Sequence, residues 1–227
     1  MILILGGTTE GRLAVKVADE AGSPYYYSTR GIQQEIACRN GIHLTGGMDV
    51  EAMTSFCIHY QIRLLVDAAH PFAVGLHQTV YETAIRLNLP VVRVERSYPE
   101  RATDIVWCED YEDAVRQLEK DRIHSLLSLT GVQTIGKLRG YWVKHPCWFR
   151  ILKRDESLAL ARSQGFDEQR IVYYQAEDEE SLLKRLTPQA ILTKESGETG
   201  GFQQKIDAAR MLGIPVYVVK RPSLPDS

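Results

Sequence analysis

The 227-residue sequence predicts an α/β protein with two parallel sheets and helices on both faces of each sheet. Strand-like and helix-like segments alternate along nearly the whole chain, which is typical of βαβ units. The strands are short apolar runs such as Ile2–Leu5, a pattern that indicates strands buried on both faces. Similar turns run from Leu87 to Arg96 and from Leu212 to Arg221. This repetition favours two related Rossmann-like layers with a cleft between them over one long sheet.

The first half is predicted to contain three helices between its strands. The first helix carries an apolar stripe over residues 13–21, and Gly22 is expected to follow its last turn. Asp49 is expected to cap the second helix. Pro71 suits the first position of the third helix, which is expected to reach Leu87. The strands are predicted at residues 2–5, 25–28, 42–45, 64–66 and 91–94.

The second half repeats this scheme after a polar, proline-containing segment at residues 97–101. That segment predicts a boundary between a nucleotide-binding domain, residues 1–98, and a second domain, residues 99–227. Asp155 is expected to cap one helix, and the last helix is expected over residues 202–212. Strands are predicted near residues 105–107, 126–129, 148–152, 171–174, 190–192 and 216–219.

Composition narrows the class of partner and the compartment. The chain has 27 Lys and Arg against 29 Asp and Glu, a net charge of −2, which argues against nucleic acid or an anionic membrane as a partner. No basic leader or long apolar stretch begins the sequence, so we expect a cytoplasmic protein, monomeric or a small homo-oligomer. Four scattered cysteines are expected to be buried free thiols: Cys38, Cys57, Cys108 and Cys147.

Glycines follow the first strand directly, within the segment Gly6–Arg12. Where a strand turns into a helix, glycines let the backbone approach a phosphate, whose charge then lies at the helix N-terminus. The spacing Gly-Gly-x-x-x-Gly departs from the usual Gly-x-Gly-x-x-Gly, and a tight turn in any α/β protein also favours glycine. Its position before an amphipathic helix nevertheless predicts a dinucleotide site that includes Gly6, Gly7, Thr8, Thr9 and Glu10.

The end of the second strand indicates which dinucleotide binds. Sites that prefer NAD place Asp or Glu there to bind the ribose 2′-hydroxyl, whereas this strand ends in Ser28, Thr29 and Arg30. Hydroxyls and an arginine suit a 2′-phosphate, so the sequence predicts NADPH. Without the glycine turn, Arg30 would be an ordinary solvated residue. Gly46 and Gly47, after the third strand, complete this side of the predicted cofactor site.

The segment Asp67–Ala73 follows a buried strand, at the sheet edge where doubly wound proteins bind ligands. Asp67, Ala68, His70 and Pro71 are therefore predicted to contact the cofactor. Asp67 as a helix cap and His70 as a structural histidine are the alternatives. A metal site is not expected, because Asp67, His70 and His77 lack the spacing that places ligands on one helix face.

A possible P-loop runs from Gly131 to Lys137, after an apolar strand. Leu138 then stands where a P-loop has the Ser or Thr that binds Mg²⁺. The absence of that ligand argues against nucleotide hydrolysis. We expect instead a strand-to-helix turn whose amides, beginning at Gly131, face a ligand.

A second glycine-rich segment, Thr193–Gly201, follows a strand of the second half. It resembles an anion-binding turn, and a lysine within it favours a carboxylate or phosphate ligand. A structural turn needs the glycines but not the Lys and Ser, which favours function. The predicted binding residues here are Lys194, Ser196, Gly197 and Gly200, with Arg150 adding positive charge.

Four segments together resemble the precorrin-6A reductase and cobalt-precorrin-6A reductase family of cobalamin (vitamin B12) biosynthesis. The Asp-Ala-x-His-Pro-Phe-Ala segment is the most specific of them. Ser97-Tyr98-Pro99 stands where the family usually has a proline pair, and the Gly131 loop matches loosely. The matching segments are Leu5–Glu10, Asp67–Ala73, Arg93–Arg96, and Lys194–Gly197 with Lys205–Arg210.

The resemblance implies transfer of a hydride from NADPH to one C=C bond of precorrin-6A, or its cobalt form, giving precorrin-6B or its cobalt form. This tetrapyrrole carries many carboxylates, which suits Gly131, Arg150, Lys194 and the second glycine turn. His70 is expected to position the reactants first and to donate a proton second. The alternatives are a non-catalytic NADPH-binding redox sensor and an NADPH reductase or epimerase of another substrate. The sequence contains no Tyr-x-x-x-Lys, which argues against a short-chain reductase.

Overall fold

The structure, a computed structural model, describes residues 1–31 and 36–223. It divides into two compact units, residues 1–97 with 222–223, and residues 98–221. Each unit contains one sheet of parallel strands connected by helices. The predicted fold class, α/β with two Rossmann-like parallel layers, is confirmed.

In the described part of the first unit, five parallel strands have the order β3-β2-β1-β4-β5. The strands are β1 (Ile2–Leu5), β2 (Tyr25–Thr29), β3 (Gly41–Thr45), β4 (Leu64–Asp67) and β5 (Val91–Arg93). The helices are α1 (Thr9–Glu20), α2 (Val50–His59) and α3 (Val74–Leu87).

Both faces of this sheet are covered, which explains the apolar runs in its central strands. Leu3 and Leu5 pack with Met53 of α2 and Val80 of α3 on one face. Ile4, between the two leucines, packs on the other face with residues of α1. Because side chains alternate along a strand, a run such as Ile2–Leu5 supplies apolar groups to both faces.

The first unit has a topological switch point between β1 and β4. From β1 the chain proceeds through α1 to β2 on one side, and from β4 it proceeds through α3 to β5 on the other. The loops after β1 and β4 therefore diverge and leave a crevice at the carboxyl edge, where doubly wound sheets bind ligands. The two predicted cofactor segments, Gly6–Glu10 and Asp67–Pro71, are these two loops.

Three of the four predicted helix ends in this unit are confirmed, and α3 ends at Leu87 as expected. Asp49 caps α2 by accepting the Ala52 N–H at 2.8 Å. Gly22 follows the last turn of α1 with a φ of +63°, a conformation that favours glycine. The prediction for Pro71 is wrong, because α3 begins at Val74. Pro71 instead lies in a turn closed by the Ala73 N–H, which donates to the His70 carbonyl at 2.7 Å.

Residues 98–221, all of them described, form six parallel strands in the order β6-β11-β10-β7-β8-β9. The strands are β6 (Val106–Cys108), β7 (Leu126–Ser128), β8 (Cys147–Ile151), β9 (Ile171–Tyr173), β10 (Ala190–Lys194) and β11 (Val216–Val219). The helices are α4 (Tyr111–Lys120), α5 (Arg139–Trp142), α6 (Asp155–Ser163), α7 (Glu179–Leu186) and α8 (Phe202–Met211).

The second sheet is also covered on both faces. Leu127 and Ile191 pack with Leu182 of α7 and Ile206 of α8 on one face. Helix α4 packs against β6 and β11. The switch point lies between β7 and β10, since the chain leaves these neighbours in opposite directions. The prediction that Asp155 caps a helix is wrong, because it is the first residue of α6 and makes no capping hydrogen bond.

The cysteines are free thiols, as predicted, and three of the four are buried. Burial raises the pKa of Cys57 to about 11 and that of Cys108 to about 12, so both thiols stay protonated and unreactive near neutral pH. Within the described ranges, none of the helices combines the length and apolar character needed to span a membrane.

Candidate functional site

The turn after β1 brings backbone close to a buried tyrosine ring. A Cβ atom on Gly6 would lie 2.3 Å from Cε2 of Tyr27, whose ring is fully buried. The Gly7 N–H donates to the Tyr27 hydroxyl at 2.8 Å, and Gly7 has a φ of +92°. Because both positions exclude a side chain, the turn presents bare backbone at the switch point.

Helix α1 begins against this turn. A Cβ atom on Gly11 would lie 2.9 Å from the Gly6 Cα, so a glycine is required where the helix crosses the strand end. The Thr8 hydroxyl accepts the Gly11 N–H at 3.0 Å and donates to the Ala68 carbonyl at 2.6 Å. Thr8 therefore caps α1 and also ties together the two loops of the switch point.

Glu10, a predicted cofactor residue, forms a buried ion pair. Its Oε2 atom lies 3.0 Å from Nε of Arg96, and both side chains are buried. A carboxylate in the first turn stabilises the helix dipole but repels a phosphate at the helix N-terminus. Arg96 neutralises that charge, so the N-terminus of α1 retains its ability to attract an anion. The preceding residue, Thr9, is exposed in the same turn.

The end of β2 combines buried hydroxyls with an exposed arginine. Ser28 and Thr29 are buried, and the Thr29 hydroxyl lies 2.8 Å from Nε2 of His43 and donates to the Gly31 carbonyl at 2.9 Å. Arg30 is exposed directly after them. Gly46, with a φ of +116°, and Gly47 follow the neighbouring strand β3 and are exposed as well. Arg30 thus lies at the sheet edge that carries the glycine turn.

The loop after β4 is held by its own side chains. One carboxylate oxygen of Asp67 accepts the Ala69 N–H at 3.2 Å, and the other lies 2.6 Å from Nδ1 of His77. Nδ1 of His70 accepts the Phe72 N–H at 3.2 Å. A neutral His70 therefore carries its proton on Nε2, the nitrogen that can donate it. Asp67 does not cap the next helix; it anchors the loop.

The loop after β7 contains a buried chain of hydroxyl groups. Ser128 Oγ lies 2.7 Å from Thr130 Oγ1, which lies 2.5 Å from Thr134 Oγ1. Gly131, in the turn between Thr130 and Thr134, has a φ of +87°. Two short 3₁₀ turns follow in place of a helix, and the Lys137 ammonium lies 5.1 Å from the centre of the Tyr111 ring. This geometry supports the rejection of a P-loop.

Two glycines of the loop after β10 adopt left-handed backbone conformations. Gly197 and Gly201 adopt φ values of +73° and +66°. The Ser196 hydroxyl and the Lys205 ammonium, in the first turn of α8, both donate to the Gly200 carbonyl, at 3.3 and 3.4 Å. Burial lowers the pKa of Lys205. Lys194, the last residue of β10, is partly buried, so the loop has one lysine on each side.

Arg150, predicted to face a ligand, is enclosed by protein. Its side chain is buried, with Nη1 2.8 Å from Glu179 Oε1. Nη2 donates to the carbonyls of Tyr174 and Glu177, and the guanidinium lies 4.6 Å from the centre of the Tyr174 ring. These contacts use acceptors that the protein itself supplies. The geometry therefore favours a structural role for Arg150 at the carboxyl edge of the second sheet.

Glu195 anchors the same loop through a pair that sequence reasoning did not identify. Arg101 donates two hydrogen bonds to its carboxylate, at 3.1 and 2.9 Å, and the Arg221 N–H donates a third at 2.9 Å. Burial by itself would raise the pKa of Glu195, but these donors outweigh burial and lower it.

The two similar turns, residues 87–96 and 212–221, differ in the contacts of their arginines. Arg96 pairs with Glu10, whereas Arg221 stacks on Tyr98.

The lowered pKa of Glu195 predicts acid sensitivity. The ionised carboxylate stabilises the folded state above its ordinary pKa of 4.5, and this contribution is lost as the pH falls below 4.5 through the folded-state value. Urea denaturation at about pH 6 and about pH 3.5 should show a smaller loss of stability for Glu195→Gln than for the wild type. Glu100→Gln, at an exposed position, should behave like the wild type. Equal acid sensitivity in all three proteins would contradict this assignment.

Across residues 1–31 and 36–223, no group of three or more His, Cys, Asp or Glu side chains is placed to hold a metal ion. Asp67 and His77 bond to each other and to the protein backbone.

Two parallel sheets, each with a switch point and helices between its strands, define a doubly wound α/β protein, a class that binds ligands at the carboxyl edge of the sheet. The family model described as "Precorrin-6x reductase CbiJ/CobK" matches residues 1–227. The chain belongs to this reductase family, and the resemblance predicted from the four motifs is confirmed.

Similar proteins cover the chain almost completely. The precorrin-6A reductase of Rhodococcus erythropolis is 30% identical over 99% of this chain and 90% of its own length. The cobalt-precorrin-6A reductase of Methanothermobacter thermautotrophicus is 26% identical over 98% of this chain and 77% of its own length. The solved structure of CobK precorrin-6A reductase superposes with a TM-score of 0.79 at 21% identity, covering 99% of this chain and 89% of that one. The last comparison supports the fold.

Proposed function

We propose that this protein reduces one C=C bond of precorrin-6A or cobalt-precorrin-6A with NADPH, giving precorrin-6B or its cobalt form. The observation that carries the proposal is the family match over residues 1–227, joined to a side-chain-free turn at the first switch point. Residues 1–98 would bind NADPH, and residues 99–227, of which 224–227 lie outside the described part, would contact the tetrapyrrole.

The residues of the first unit fit a dinucleotide. Any side chain on Gly6 would clash with the Tyr27 ring, and Gly7 needs a backbone conformation typical of glycine. The N-terminus of α1, the positive end of the helix dipole, lies next to this turn, which suits a pyrophosphate. The predicted contacts continue along the carboxyl edge through the ends of β2 and β3 and the Asp67–Pro71 loop.

We propose that Arg30 binds the 2′-phosphate of NADPH, so Arg30→Ala should weaken NADPH binding. One charge-assisted hydrogen bond contributes roughly 1.5–3 kcal/mol, so we expect the Kd for NADPH to rise about 10- to 100-fold. The Kd for NADH, which lacks that phosphate, should change by less than about threefold. Fluorescence titration with each dinucleotide measures both values.

The matched control is Arg63→Ala, which removes another exposed arginine of the first unit, before the amino end of β4. It should leave both dinucleotide affinities unchanged. If Arg30→Ala weakened NADPH and NADH equally, Arg30 would not read the 2′-phosphate.

On the substrate side, the proposal assigns the carboxylates of the macrocycle to the loops after β7 and β10. The residues assigned to this role are Gly131, Lys194, Ser196, Gly197 and Gly200. The Gly200 N–H and the Ser196 hydroxyl donate within the loop, to the Gly197 and Gly200 carbonyls at 3.1 and 3.3 Å, and would have to exchange these acceptors for a substrate carboxylate. Such donors recognise carboxylates through charge-assisted hydrogen bonds. Lys205 belongs with this set, because its ammonium lies at the Gly200 carbonyl.

The reaction depends more on how the reactants are positioned than on the strength of an acid group. When bound, the nicotinamide supplies the hydride. The protein holds the reactants in place and excludes water, and a proton must reach the carbon beside the one that receives the hydride. In this proposal His70 would position the reactants first and would donate a proton second, and a neutral ring whose Nδ1 accepts the Phe72 N–H carries its proton on Nε2.

The deciding experiment follows oxidation of NADPH by its absorbance, with precorrin-6A and cobalt-precorrin-6A supplied separately. Consumption with either substrate supports the proposal, and the ratio of the two rates identifies the preferred metal state. Binding of NADPH without consumption would favour the sensor or a reductase of another substrate.

We further propose that the enzyme works in the reducing cytoplasm, where its thiols stay free, as a monomer or small homo-oligomer.

A further inference from the structure

His77, in the first turn of α3, joins two parts of the loop that carries His70. Its ring is 2% exposed, and its Nδ1 atom lies 2.6 Å from Oδ2 of Asp67, which is 1% exposed. Its Nε2 atom lies 3.0 Å from the backbone carbonyl oxygen of His70. Each ring nitrogen thus faces an oxygen at hydrogen-bond distance.

The chemistry of these oxygens determines where the protons are. A carbonyl oxygen accepts and never donates, so Nε2 must carry a proton. Arg93 of β5 lies 3.7 Å from the same Asp67 oxygen and favours the ionised carboxylate, which also accepts. Nδ1 must therefore carry a proton as well. Glu95, another charged residue near Arg93, lies 4.0 Å from it and is mostly exposed.

This arrangement constrains the whole segment from β4 to α3. Asp67 holds the Ala69 amide, His77 holds the His70 carbonyl, and His70 holds the Phe72 amide through Nδ1. The His70 ring is attached to a backbone fixed on both sides. The His70 carbonyl also accepts the Ala73 N–H at 2.7 Å, so His77 supplies the second of two bonds that hold this peptide. Loss of the His77 bond would leave the peptide held only from the Ala73 side and would let the His70 ring shift from its position.

We propose that His77 is a positioning residue: held as an imidazolium, it ties the His70 carbonyl to Asp67 and so sets the orientation of the His70 ring for the reaction. The catalytic part of this inference rests on the proposed function, whereas the charged tether does not. His77 touches neither reactant and acts through His70.

The first test measures the tether without any substrate. In NMR spectra of protein with isotope-labelled histidine at about pH 7, His77, assigned by its absence in His77→Gln, should show two protonated ring nitrogens, because each faces an acceptor oxygen. Asp67→Asn should convert it to a single protonated nitrogen, because the counter-charge is gone. One protonated nitrogen in the wild type would overturn the proposal.

The second test separates positioning from stability. His77→Gln should lower kcat about 10- to 100-fold while changing the KM for NADPH less than about threefold. The control is Val80→Ala, on the same helix and buried in the core with Leu3 and Leu5, which should lose stability but keep kcat per folded molecule. Equal kcat in the two variants would overturn the positioning role. If the wild type reduced neither precorrin, the proposed function would fail while the NMR result still decided the tether.

Discussion

The Gly6→Ala variant is expected to lose NADPH affinity by at least about 100-fold and stability by about 1–3 kcal/mol. The new Cβ atom would lie 2.3 Å from Cε2 of Tyr27 and 2.7 Å from its hydroxyl. That ring is fully buried and accepts the Gly7 N–H through its hydroxyl, so it cannot move without breaking the turn. Isothermal calorimetry with NADPH and urea denaturation measure the two effects.

The control for Gly6→Ala is Gly140→Ala in helix α5, where a Cβ atom would make an ordinary contact of 3.9 Å with Val115. This variant should keep the NADPH affinity of the wild type and, because alanine favours helix, should lose no stability. If Gly6→Ala bound NADPH normally, the turn after β1 would not be the cofactor cradle.

The Arg96→Met variant is expected to destabilise the protein by about 3–5 kcal/mol, because it leaves the Glu10 carboxylate buried without its counter-charge. NADPH affinity should fall as well, since the uncompensated carboxylate lies in the first turn of α1, beside the proposed phosphate position. Urea denaturation at neutral pH measures the first effect, and calorimetric titration measures the second.

Two further variants make this prediction specific to a buried pair. Glu10→Leu with Arg96→Met should recover much of the lost stability, because it removes both charges together. Arg86→Met breaks the exposed pair with Glu51 and should cost far less. If Arg96→Met and Arg86→Met were equally stable, burial of the Glu10–Arg96 pair would have no energetic consequence.

The sequence was sufficient for those parts of the fold that depend on local patterns. The apolar run of β1 predicted a strand buried on both faces, and the next residues predicted a glycine turn and a helix. Asp49 and Gly22 marked helix ends correctly, because capping depends on residues within one turn. The predictions for Pro71 and Asp155 were wrong by a few positions. Proline and aspartate both occur at a helix start, but each also fits the neighbouring positions of the chain, so the residue type does not fix where the helix begins.

The contacts of the candidate site were decided by tertiary structure. Arg96 reaches Glu10 across 86 residues of sequence, and Arg101 reaches Glu195 across 94. Sequence spacing contains no signal for such pairs, because the order and register of the parallel strands determine which loops meet. The arrangement of the strands and loops also buried the Arg150 side chain. It placed the His77 ring between the Asp67 carboxylate and the His70 carbonyl. The sequence by itself therefore determined the fold class, the family motifs and the two glycine turns, while the packed sheets decided which charges are paired and which remain for a ligand.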